Sequence, residues 1–190
     1  EEVSRGLGDV YKRQYQVSTD MQIIGLLFSL VNYFFVFLLL FNLLKVDYFN
    51  PIVSILLKIY TPISRVLGLF PNQIINIIIF AVIFKFISLY IYFGTQFEII
   101  SLIGVAIIQS IMIFLRIIFF AVIGGVILSW VSPKNSNPFL QLIEEVSDKS
   151  LAPIRKYIPS AGGLDFSPLF ILILINLFES FLTDILRSMV

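Results

Sequence analysis

Four long apolar runs divide the chain, and the stretches between them have a different rhythm. Met21 to Leu44 is 24 residues without a charge. A second run extends from about Ile74 to Phe93 and carries Lys85. A third, Ile99 to Val131, carries only Arg116, and the last, from near Pro168 to about Arg187, encloses Glu179. A helix of about 20 apolar residues crosses a hydrocarbon core of roughly 30 Å, so each run predicts a membrane span. Tyr48, Tyr92, Trp130 and Tyr157 fall near the predicted span ends, where amphipathic rings suit the interface. No small-residue cleavage site follows the first run, which therefore reads as an uncleaved span and not as a signal peptide.

The third run, 33 residues long, would make a straight helix of about 50 Å. The expectation is one crossing from about Gln109 to Trp130, preceded by an interfacial or partly inserted segment. Two crossings around Arg116 are the alternative. Parity turns on this: with four spans the loops after spans one and three share a side, and with five they do not.

Those two loops share an order of features. "FNPIVSILLKIYTPISRVLGLFPN" and "SNPFLQLIEEVSDKSLAPIRKYIPSAGG" both open on Asn-Pro (Asn50-Pro51, Asn137-Pro138). Each runs through an amphipathic stretch to a proline (Pro62, Pro153), then a basic residue (Arg65, Arg155), then a further proline (Pro71, Pro159). Asn can cap a helix, and Pro suits the first turn, where its missing N–H costs nothing. Ile52, Ile55, Leu56 and Ile59 recur at helical spacing, as do Phe139, Leu142, Ile143 and Val146 opposite Glu144, Glu145, Asp148 and Lys149. Such helices can lie in the interface, pack on their own bundle or dock on a partner; the first two are favoured. The fold class is thus an all-α membrane protein, four transmembrane helices arranged as a tandem repeat of span, amphipathic loop helix and span. Residues 21–98 form the first unit and 99–190 the second.

Charge sets an expected orientation. The two loops hold Lys45, Lys58, Arg65, Lys134, Lys149, Arg155 and Lys156, against Arg187 alone on the other side, so the positive-inside rule places both loops in the cytoplasm. Composition agrees with a polytopic membrane protein: 58% of residues are hydrophobic and 13% charged, about half the usual charged share. A net charge of +1 gives no sign of a nucleic-acid partner. With no Cys and no His, disulfides, thiol chemistry, imidazole bases and the commonest transition-metal ligands are removed. No carboxylate cluster lies within the bundle and no "GxSxG" context supports a nucleophile, so an enzyme is the weakest class and no cofactor or metal is expected. "EEVSRGLGDVYKRQ", Glu1 to Gln14, resembles a translated sequencing adaptor. Residues 1–20 are read as a non-native or disordered tail and set apart from the fold.

Between Leu151 and Phe170 the turn chemistry is dense. Ser167 is placed to cap the last span and Pro168 to occupy its first turn. Asp165 sits where negative charge favours a helix N-terminus and can meet Arg155 or Lys156. Gly162-Gly163 permits positive φ or a close approach, while Pro153 and Pro159 restrict the path from the amphipathic helix. This is a rigid re-entry turn on the plain reading. The sharper reading is an anion-binding or partner-docking surface formed with Asn137 and Pro138.

Lys85 and Glu179 lie at corresponding depths of the two units and are expected to pair across their interface, because an intramembrane ion seeks a partner. Arg116 pairs or snorkels according to how the third run is cut. Asn32, Asn76, Gln109 and Asn176 suit interhelical hydrogen bonds.

"LSWVS" (Leu128 to Ser132), Asn137-Pro138, "APIRKYIP" and "GGLDFSP" together resemble the YggT family, also called YlmG. The resemblance covers about Met21 to Arg187, and "TPISRVLGLFPN" in the first unit departs from the pattern. It implies a small bacterial inner-membrane protein with plastid relatives, linked to osmotic or ion homeostasis and to division, envelope organisation or membrane-complex assembly. The sequence favours a non-catalytic membrane organiser whose partners are the bilayer and a second copy or another membrane protein. A small oligomeric ion or osmolyte channel is the alternative.

Overall fold

The computed structural model describes residues 18–66, 68–94, 96–131, 137–158 and 165–189. These form six helices and no strand among the described residues: α1 (Thr19–Leu44), α2 (Pro51–Val66), α3 (Gln73–Phe93), α4 (Ile99–Val131), α5 (Pro138–Arg155) and α6 (Ser167–Met189). Four of them, α1, α3, α4 and α6, are long and apolar enough to cross a membrane. The order long, short, long occurs twice along the chain. The 1–14 tail, together with Pro159, Gly162 and Gly163 of the re-entry turn, lies outside the described residues.

The spans start and stop where local chemistry says they should. Ser18 accepts from the Met21 N–H and begins α1. At its end Lys45 takes a left-handed conformation (φ 52°, ψ 48°). Its N–H donates to the Asn42 carbonyl and the Val46 N–H to that of Phe41, the paired bonds of a Schellman motif. Val46 and Phe41 are both buried in one cluster, which supplies the apolar contact such a cap needs. Asn50, Asn72 and Asn137 accept from the N–H two residues on (Ile52, Ile74, Phe139), so all three Asn open helices as their position before the apolar stretch suggests.

α4 is one unbroken helix from Ile99 to Val131, so it begins ahead of the expected Gln109 and does not break at Arg116. No proline interrupts it, and its first turns are packed: Leu102, Val105 and Ala106 cluster with Leu89 of α3 and Leu186 of α6. At about 50 Å it outruns the roughly 30 Å core, so it must tilt or project. α5 continues past Lys149 through Pro153 to Arg155, and α2 likewise carries Pro62 in its last turns.

α1 lies along α3 through small polar contacts and stacked rings. Ser88 donates to the Gly25 carbonyl at 2.8 Å and the Tyr92 hydroxyl to that of Gln22 at 2.6 Å. Phe35 stacks on Phe84 (5.5 Å) and leans on Phe80 (5.6 Å), an arrangement worth about 0.5–1.5 kcal/mol per pair beyond area. Where α1, α3 and α4 meet, the fully buried Asn32 donates to the Ala81 carbonyl (2.7 Å) and Ser110 Oγ (3.1 Å). This is the interhelical role expected of it. Asn76 instead closes its own turn with the Phe70 backbone, and Asn176 donates to Leu172 of its own helix.

The two loop helices pack on the bundle and on each other, which puts both Asn-Pro loops at the same end. Asn50 Nδ2 donates to the Pro138 carbonyl (2.8 Å), and Glu145 accepts from the Asp47 N–H (2.8 Å). Lys149, ion-paired with Glu145 at 2.6 Å, also reaches the Lys45 carbonyl. Of the stripe read on α2, Ile52 and Leu56 turn inward while Ile55 and Ile59 stay exposed; Val53 and Tyr60 are the buried residues. On α5, Leu142 and Val146 are buried as expected, and Phe139 is exposed.

Candidate functional site

The end of α4, the face of α5 and the start of α6 enclose a cleft of about 780 Å³. Its existence depends on two adjacent glycines. Side chains of α5 sit so close to α4 that a Cβ on Gly124 would lie 2.8 Å from Ile143 Cγ2, and one on Gly125 would overlap Ser147 Oγ. Only glycine allows that approach. Asn137 caps α5 and Pro138 occupies its first turn, and Glu144, Ser147 and Asp148 of that helix line the cleft.

The opposite wall is held by Arg155. Its Nε donates to Asp165 Oδ2 at 2.8 Å and its Nη1 to Asp148 Oδ1 at 3.0 Å, tying the last turn of α5 to the approach to α6. Asp165 uses its other oxygen to accept from the Ser167 N–H at 2.9 Å. The cap of α6 is therefore Asp165, not Ser167, whose side chain is buried. Both residues cap well; Asp165 wins because it serves the helix end and the guanidinium at once. Burial opposes charge on Asp165, yet hydrogen bonds from Ser167 and Arg155 and the charge of Arg155 hold its carboxyl below the ordinary range. Burial likewise opposes charge on Arg155, and its two carboxylate partners more than compensate, raising its pKa.

The cleft lining is mixed: Val126, Trp130, Phe166, Pro168, Leu169 and Leu172 are apolar, and Ser129, Glu144, Asp148, Arg155 and Asp165 are polar or charged. Two of the three carboxylates in this lining, Asp148 and Asp165, are held by Arg155. Pro153 sits inside the last turns of α5 and helps set the direction in which Arg155 leaves the helix. Asp148 was read only as part of the charged side of α5, and Ser147 was not singled out. The seven-residue spacing of Asp148 and Arg155, two helical turns, was the available signal.

The intramembrane charges pair differently from the sequence expectation. Glu179 is partnered by Arg116, with Nε 3.4 Å from Oε1, and not by Lys85. α4 and α6 are neighbours in the bundle, and this brings the two together. Lys85, half-buried on α3, makes no ion pair among the described residues. Nor do the described residues contain a group of three or more His, Cys, Asp or Glu placed to hold a metal ion.

Four apolar spans, two amphipathic loop helices at one end and a cleft built from the second half define a small multi-pass helical membrane protein. The chain resembles the CCB3/YggT family, whose model matches residues 104–186, the stretch that builds the cleft. It is 29% identical over 157 residues to an uncharacterized protein of Pseudomonas aeruginosa, covering 78% of this chain and 80% of that one. An uncharacterized protein of Haemophilus influenzae is 28% identical over 150 residues (76% and 81%). The uncharacterized protein YggT of Escherichia coli K12 is 26% identical over 151 residues (75% and 77%). No solved structure matches the chain.

Proposed function

We propose that this chain is a non-catalytic organiser of the bacterial inner membrane, holding a segment of another membrane protein in the α4–α5–α6 cleft with both loop helices on the cytoplasmic side. The observation that carries the reading is the cleft itself. It combines apolar side chains of α4 and α6 with charged ones of α5, and the Arg155–Asp148–Asp165 contacts tie α5 to the approach to α6. A helix end with a basic residue at its membrane face fits both sets of side chains. The orientation rests on Lys45, Lys58, Arg65, Lys149, Arg155 and Lys156 standing at the end where α2 and α5 meet, with Arg187 at the far end of α6.

Transport is the second reading, and the Arg116–Glu179 pair is what favours it. The exposure of the Arg116 side chain, 60%, weighs against a path through one copy, because a charge lining an internal route would be enclosed by the bundle. The test is K⁺ and H⁺ flux into sealed liposomes holding the full chain, beside Glu179→Gln. Vesicles as tight as protein-free controls are expected. Flux that disappears with Glu179→Gln would overturn the organiser reading.

A further inference from the structure

Arg116 stands in the middle of α4, seventeen residues from Ile99 and fifteen from Val131, with most of its side chain uncovered. A guanidinium turned toward lipid at that depth is unfavourable, and intramembrane charges are found facing protein or water. The neighbouring flank of α6 is polar as well. Asn176, Ser180 and Asp184 follow at four-residue spacing, with Thr183 between them, Arg187 just beyond and Glu179 at the margin, in a span whose other surface is mainly apolar. All but Thr183 and Glu179 on this flank are exposed. Its hydrogen bonds stay local: Asn176 donates to Leu172, Thr183 to Glu179 and Arg187 to Asp184. Gln109, two turns from Arg116 on the same face of α4, extends the polar surface along the antiparallel pair.

We propose that this α4–α6 face is the contact surface for a second copy of the chain. It carries one positive and one negative side chain at the same depth. A two-fold axis along the membrane normal preserves depth, so it sets Arg116 of one copy at the level of Glu179, Asn176 and Ser180 of the other. The surface is thereby complementary to itself, a property that lipid does not offer. The two pairs close into a ring of alternating charges, with Asn176 and Ser180 supplying hydrogen-bonding groups around it. This proposal is independent of what occupies the cleft, which lies at the loop end of the same helices.

The chain has no cysteine, so single-cysteine variants report cleanly. Ser180→Cys and, as a control on the exposed apolar face of α1, Leu30→Cys are reconstituted in full-length protein at increasing lipid dilution and treated with a short bis-maleimide. Ser180→Cys should give several-fold more dimer than Leu30→Cys and retain it on dilution. Adding Arg116→Glu should bring it down to the control level by placing acid opposite acid, and the swap Arg116→Glu with Glu179→Arg should restore it. The proposal is overturned if Ser180→Cys crosslinks no better than Leu30→Cys, a comparison that alters no charge. It is also overturned if the swapped chain, melting like its parent, fails to regain the dimer. A Ser180→Cys adduct in cells to a different membrane protein, with none to a second copy, would overturn it too.

Discussion

Replacing Gly125 with alanine tests whether the cleft is set by how closely α5 can approach α4. In a helix exposed on one side this substitution ordinarily stabilises by about 1 kcal/mol, because alanine is the better helix former. Here the added methyl would overlap Ser147 Oγ and lie 2.5 Å from Ser147 Cβ. Ser147 Cβ is fixed to the α5 backbone and cannot rotate away, so the two helices must part. Forcing a methylene into a packed site costs about 1–3 kcal/mol, and an obstacle fixed to the backbone puts this site in the upper half, about 2–3 kcal/mol, so after the propensity gain of about 1 kcal/mol a net loss of about 1–2 kcal/mol is expected. For a chain of this size that lowers the melting midpoint by about 2–8 °C. The assay is thermal unfolding in nanodiscs followed through Trp130, the single tryptophan, which lines the same cleft. Gly124→Ala should cost less, because its single close contact is a side-chain methyl, Ile143 Cγ2 at 2.8 Å, and not a Cβ fixed to the backbone. In a Ser147→Gly background Gly125→Ala should become neutral or stabilising, whereas Ser147→Ala should rescue only in part because its Cβ remains. A midpoint for Gly125→Ala equal to or above the parent's would refute the close-approach argument.

Two further outcomes follow from the charges. Asp165 has a depressed folded pKa, so its contribution is complete above the unfolded aspartate value of about 3.9 and is lost as pH falls through the lower folded value. Trp130 emission and the melting midpoint should show this acid limb, Asp165→Asn should flatten it, and identical profiles for the two proteins would refute the assignment. Within the membrane, Lys85→Leu should leave the midpoint unchanged or raise it, since no ion pair is broken, while Arg116→Leu should lower it by leaving Glu179 unpaired. The opposite ranking would show that Glu179 depends on Lys85 after all.

Much of the fold was legible because the membrane restricts the alternatives to so few. Apolar runs gave the spans α1, α3 and α6 to within two residues, and Asn-Pro gave the starts of α2 and α5. The helix α4 starts ahead of Gln109 because the run holds no helix breaker and its first turns have neighbours to pack on. The Lys85–Glu179 pairing failed for another reason. Depth along a span can be counted from sequence, but which helices are adjacent cannot, and Arg116 had the same depth with the better neighbour. The Arg155–Asp165 contact was readable because both residues flank one short turn. The cleft was not, since Gly124 and Gly125 announce a close approach without saying to what.

The corner where α1 ends has a consequence for how the chain is made. Lys45 and Asp47 present a carbonyl and an amide whose partners, Lys149 and Glu145, lie 104 and 98 positions further along. At translation speeds of about 5–20 residues per second those partners emerge roughly 5–20 s later. During that interval the first two spans are already in the bilayer with an open corner. Completion of this membrane protein is thus a delayed clasp, closed from the water side by the last loop helix to be synthesised.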